Sequence, residues 1–110
     1  MSNFFDGFPS VLRVGPFDLA IKLVDKIDDG NDWGAYTHGI EIELVKDQPN
    51  AAFALDTVWH EIEHAIYRTY GLDKKSSEEA HAVARATAWP MVFRDNPEYA
   101  NWFYRMIQPK

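Results

Sequence analysis

Two hydrophobic rhythms divide the chain. Val11 to Val14 is a short apolar segment closed by Gly15-Pro16. From Phe17 to Asp25 the residues alternate: Phe17, Leu19, Ile21 and Leu23 fall on one side, Asp18 and Lys22 on the other. That is the period of a half-buried strand. The run Asp28-Asp29-Gly30-Asn31-Asp32 breaks the pattern with turn-forming residues. Trp33 to Tyr36 predicts a third strand, and Thr37-His38-Gly39 a turn into a fourth at Ile40 to Val45. There Ile40, Ile42 and Leu44 alternate with Glu41 and Glu43. Two outward glutamates suit a strand with one wet face at a sheet edge.

The rhythm then changes to every third or fourth position. Asp47-Gln48-Pro49-Asn50 carries a helix start signal, and Leu55, Trp59, Ile62 and Ile66 follow at helical spacing. Gly71 fits the left-handed position just past a helix end. Ser76 or Ser77 caps a second helix that runs toward Pro90, where a kink is expected. Asp95-Asn96-Pro97 reads as a cap followed by proline in the first turn of a last helix, Pro97 to Ile107, whose Tyr99, Phe103 and Met106 are expected in the core. Strands first and helices after predict an α+β domain. We expect a small antiparallel or mixed sheet of three to four strands packed on three C-terminal helices. Residues 1–110 form one domain in this reading, with 1–10 a poorly structured N-terminal arm.

Composition narrows the chemistry. A chain of 110 residues has room for one core. Its 7 Phe, 5 Tyr and 4 Trp supply enough apolar area to fold without covalent staples. The absence of cysteine excludes disulfides, thiolate metal sites and cysteine nucleophiles. A net charge of −6 disfavours a nucleic-acid surface, so no nucleic-acid partner is expected. No apolar run has the length of a membrane span and no signal peptide is read, so the expected compartment is the cytoplasm, with no membrane partner.

The segment that carries chemistry is Trp59-His60-Glu61-Ile62-Glu63-His64, which contains H-E-x-x-H. On a helix, His60 and His64 project from one face one turn apart, the spacing two ligands of a single zinc ion require. Glu61 stands about 100° further round. From there it can take a proton from a water molecule at the metal and pass it to a leaving amine. The helix assignment rests on the apolar stripe and is independent of the motif.

A third protein ligand is needed. The positions of a longer H-E-x-x-H-x-x-G-x-x-H pattern hold Tyr67 and Tyr70, so the candidates lie on the next helix: Glu79, Glu78 or His81. Glu79, Val83, Ala86, Pro90 and Phe93 form a stripe expected to face the core, where a carboxylate is costly without a positive partner. His81 shares its face with Arg85, and Glu78 is intermediate. Glu79 also fits a capping box begun at Ser76. Tyr36, His38, Tyr67 and Tyr99 are candidate donors to the oxyanion of a tetrahedral intermediate, and Asp56 is placed to orient His60.

The string Thr57-Val58-Trp59-His60-Glu61-Ile62-Glu63-His64-Ala65-Ile66, with Glu78-Glu79 heading an alanine-rich helix and Arg94-Asp95-Asn96-Pro97-Glu98 after it, resembles the small phage and prophage zincin domains related to ImmA/IrrE-type metallopeptidases. The resemblance covers roughly residues 11 to 107. It implies a minimal gluzincin-like centre with zinc on His60, His64 and Glu79 and with Glu61 as catalytic base. It also implies a sheet edge, here Ile40 to Val45, that takes an extended peptide as an added strand. The expected function is hydrolysis of a peptide or protein substrate. The alternatives are a zinc-binding but catalytically silent regulatory domain of phage or prophage origin, and an acidic helical interaction module without metal.

Overall fold

The computed structural model describes residues 4–108. Four strands, β1 (Val11–Val14), β2 (Phe17–Val24), β3 (Gly34–Thr37) and β4 (Glu41–Val45), precede three helices, α1 (Ala51–Thr69), α2 (Glu78–Asp95) and α3 (Pro97–Met106). This is the α+β order expected from the two rhythms. Gly15 takes the positive φ of 57° that the two-residue turn between β1 and β2 requires.

The sheet order is β1-β2-β4-β3. β1 and β3 are antiparallel to their neighbours, while β2 and β4 run parallel with Ile21 opposite Ile42. β4 is therefore an inner strand, not the edge its outward glutamates suggested. The edges are β1, which meets α1 and α2, and β3, which lies against α1. Alternation reports which face of a strand is wet, and Glu41 is on such a face, 2.9 Å from Lys22 Nζ on β2. It carries no information on whether the strand's backbone is paired. Ile40 lies ahead of β4 and is 60% exposed.

One face of the sheet supplies Leu12, Leu19, Ile42 and Leu44, which pack with Ala54, Val58, Ile62 and Ile66 of α1. Tyr99 and Trp102 of α3 and Trp89 of α2 complete the core. Trp89 stacks on Trp59 with centroids 3.6 Å apart. Of the expected loose arm, 1–10, residues 1–3 lie outside the described residues, while in 4–10 Phe5 and Pro9 are buried and Phe4 and Phe8 half-buried. Phe5 is buried and stacks on Trp102, whose Nε1 donates to the Phe4 carbonyl at 2.6 Å. Asn96 precedes α3, but its side chain does not cap it. It accepts from the Arg13 amide at 2.7 Å and donates to the carbonyls of Arg13 and Val92 at 2.8 and 2.7 Å. The helix junction is thereby fastened to β1.

α2 is capped by Ser77, which accepts from the Ala80 amide, and runs through Pro90. Its orientation differs from the expected one. Only Ala88, Trp89 and Val92 are buried, and Val83 is 58% exposed. Glu79, Val83, Ala86 and Pro90 of the anticipated stripe are exposed, and of its members only Phe93 packs, partly buried, against the core. Trp89 and Val92 hold more apolar area and turn inward. At 100° per residue, Glu79 and Val83 then fall on the far side. Among the described residues no helix is long and apolar enough to cross a membrane.

Candidate functional site

α1 begins at Asn50, whose side chain accepts from the Phe53 amide at 2.8 Å. The H-E-x-x-H segment lies in the middle of this 19-residue helix, where every backbone group is held. His60 and His64 are exposed and their Nε2 atoms approach to 3.0 Å. Two imidazoles on one zinc ion, each about 2.0–2.1 Å from it in tetrahedral geometry, hold their nitrogens about 3.3 Å apart. The pair therefore stands within a few tenths of an ångström of ligand spacing. Burial, followed by the neighbouring His60, pushes the His64 imidazole below its ordinary pKa against the pull of Glu63. A neutral ring keeps its lone pair available to a metal.

Glu61 faces inward and is 5% exposed. No hydrogen-bond donor meets its carboxylate among the described residues. Burial pushes its carboxyl pKa up, His60 opposes this, and Asp32 adds to it. The carboxylate lines a cleft of about 500 Å³ together with both histidines, and β3 forms the opposite wall.

The wall approaches the helix closely because Gly34 has no side chain. A Cβ there would stand 2.9 Å from Thr57 Cγ2 and 3.0 Å from both Cγ and Oε2 of Glu61. A buried polar bridge holds the two surfaces in register. Thr57 Oγ1 donates to Gln48 Oε1 at 3.0 Å, and Gln48 Nε2 donates to the carbonyls of Trp33 and Val45 at 3.1 and 2.8 Å. β3, the end of β4 and α1 are thus tied together beneath Glu61.

The third-ligand candidates are placed elsewhere. Glu79 is exposed and lines a groove with Tyr70, Leu72 and Val83 on the outer side of α2. Glu78 is exposed in the first turn of that helix. His81 comes nearer: its Nδ1 is 3.1 Å from the hydroxyl of Tyr67, which borders a second cleft beside His60 and His64. Among the described residues no group of three His, Asp or Glu converges as a metal cage. The outward turn of α2 explains why Glu79 does not meet the histidines. Arg85 ties α2 to Glu63 at 2.6 Å on the flank of the second cleft.

Of the expected oxyanion donors, Tyr36 and Tyr67 reach the clefts. The Tyr36 hydroxyl is shared with His38 Nδ1 at 2.8 Å and accepts from the Gly39 amide. Tyr99 is fully buried in the core, remote from any donor role. Asp56 lines the main cleft, but no hydrogen bond joins it to His60. Gln48, Thr57, Asp32 and Gly34 escaped sequence reasoning. The first two look like turn and helix filler, and the close approach that requires Gly34 exists only once β3 meets α1. Compared with known protein families, with curated proteins and with solved structures, the chain matches none.

Proposed function

We propose that this chain is a zinc-dependent peptidase of minimal zincin type, with His60 and His64 as metal ligands and Glu61 as general base. One observation carries the reading: two Nε2 atoms converge at 3.0 Å beside a buried, otherwise unpartnered carboxylate in an open cleft. Zinc, when bound, would supply Lewis acidity and a more acidic water. Glu61 accepts the proton of the attacking water and returns it to the amine nitrogen as the peptide C–N bond breaks. β3, an edge strand on the cleft wall, offers its free backbone groups to an extended substrate, taking the place first assigned to Ile40 to Val45. A phage or prophage setting belongs to the proposal through the sequence resemblance alone.

A second reading, a zinc-binding domain without turnover, draws on a different observation: no third carboxylate or imidazole closes on the pair among the described residues. Glu61→Gln separates the two. Under the peptidase reading, wild type and Glu61→Gln each bind about one zinc by elemental analysis and only wild type hydrolyses peptides. Equal hydrolysis by both removes Glu61 as the base. Zinc binding with no hydrolysis by either supports the silent domain. No zinc uptake by wild type overturns both.

A further inference from the structure

Arg68 closes one end of the main cleft. It sits one turn beyond His64 on α1, exposed and lining the same space as both histidines. The other four arginines have partners: Arg13 meets Asp18, Arg85 meets Glu63, Arg94 meets Asp95, and Arg105 donates to the Asp6 carbonyl. The Arg68 guanidinium meets none among the described residues. The opposite end is acidic. Asp56 lies one turn before His60, and Asp32 precedes β3 by two residues. Trp33 packs on Phe53 with centroids 5.4 Å apart, which sets this end of β3 beside the first turns of α1.

The cleft is therefore electrically polarised along the helix, with the histidine pair between its poles. At about 1.5 Å rise per residue, Arg68 and Asp56 each lie about 9 Å along the axis from the midpoint of the pair. An extended peptide covers that distance in about two to three residues. Guanidinium is the side chain best shaped to grip a carboxylate through paired N–H donors.

We propose that the cleft selects its peptide by charge: a carboxylate of the substrate pairs with Arg68, two to three residues from the bond held at His60 and His64. Asp32 and Asp56 fix the polarity by repelling an anion from the other end and accepting a basic residue there. The position of the scissile bond rests on the peptidase reading, whereas the charge preference rests on the placement of Arg68, Asp32 and Asp56. The carboxylate can come from an acidic side chain or from the chain terminus.

Fluorescence anisotropy with labelled seven-residue peptides, on the zinc-loaded and zinc-free full chain, tests this. Four probes are used: glutamate at one end with an amidated terminus, lysine in its place, a neutral peptide with a free C-terminal carboxylate, and the same peptide amidated. Each carboxylate-bearing probe should bind about twofold to fivefold tighter than its uncharged or lysine counterpart at low salt, with the difference shrinking as salt screens it. The two carboxylate probes report which source is preferred. Arg68→Glu should reverse the order, and Arg68→Lys should retain part of it. Equal affinities, no binding of any probe, or an order unchanged in Arg68→Glu each overturn the proposal. Charge-ordered binding without cleavage would sink only the peptidase reading. Cleavage indifferent to charge would sink only the assignment of Arg68.

Discussion

Replacing Gly34 by alanine tests whether the edge strand and the motif helix form one fitted surface. The added Cβ would meet Thr57 Cγ2 at 2.9 Å and Glu61 Cγ and Oε2 at 3.0 Å. Real Cβ contacts of that length require movement, and Thr57 is anchored through Gln48 to two backbone carbonyls. Overpacking of this kind costs about 1–3 kcal/mol. The backbone at Gly34 does not have positive φ, so alanine regains about 0.4–1 kcal/mol by restricting the unfolded chain. The net loss should centre near 1 kcal/mol, or about 5 °C in Tm. Thr57→Ser removes Cγ2 while keeping the hydroxyl bonded to Gln48. In that background the penalty of Gly34→Ala should fall to about half, the remainder coming from Glu61. Urea titration of the four proteins measures the coupling. A Gly34→Ala variant as stable as wild type, or a penalty identical in both backgrounds, would refute the close fit. Zinc affinity should change little in either variant, because the clash involves Thr57 and Glu61 and spares the imidazoles.

Other expectations follow from the packing. Asn96→Ala removes three side-chain hydrogen bonds of 2.7–2.8 Å, two that fasten the α2–α3 junction to β1 and one to the Val92 carbonyl of α2. It should cost about 2–4 kcal/mol by denaturant titration; a loss below about 0.5 kcal/mol would show that the junction does not depend on it. The Tyr99 hydroxyl is buried without a hydrogen-bond partner, so Tyr99→Phe should leave stability unchanged or raise it by up to about 1.5 kcal/mol. Burial also pushes the Tyr99 phenol well above its ordinary value of 10.0. Its contribution is then complete below about pH 10 and declines as pH rises toward the folded value, because the unfolded chain ionises first. Tm measured from pH 9 to 11.5 should fall more steeply for wild type than for Tyr99→Phe, and parallel curves would contradict this.

The sequence by itself determined the elements and the motif. Alternation and helical spacing marked four strands and three helices, since each period is fixed by local backbone geometry. His60 and His64 were legible for the same reason: two residues four positions apart on one helix meet whatever surrounds them. What depends on contacts between distant segments was decided only by tertiary structure. β4 became an inner strand because β3 returned to pair beside it, and alternation cannot register which backbone edge is filled. The N-terminal segment packed because Phe5 met Trp102, 97 residues away in sequence. Glu79 left the histidines because Trp89 and Val92 set the rotation of α2, outweighing a regular stripe in which Glu79, Val83, Ala86 and Pro90 offer less apolar area. The close seat of Gly34 against Glu61, and the charge poles formed by Asp32, Asp56 and Arg68, arise where a strand meets a helix. No local period encodes such a meeting, because its energy lies in surfaces that only the fold brings together.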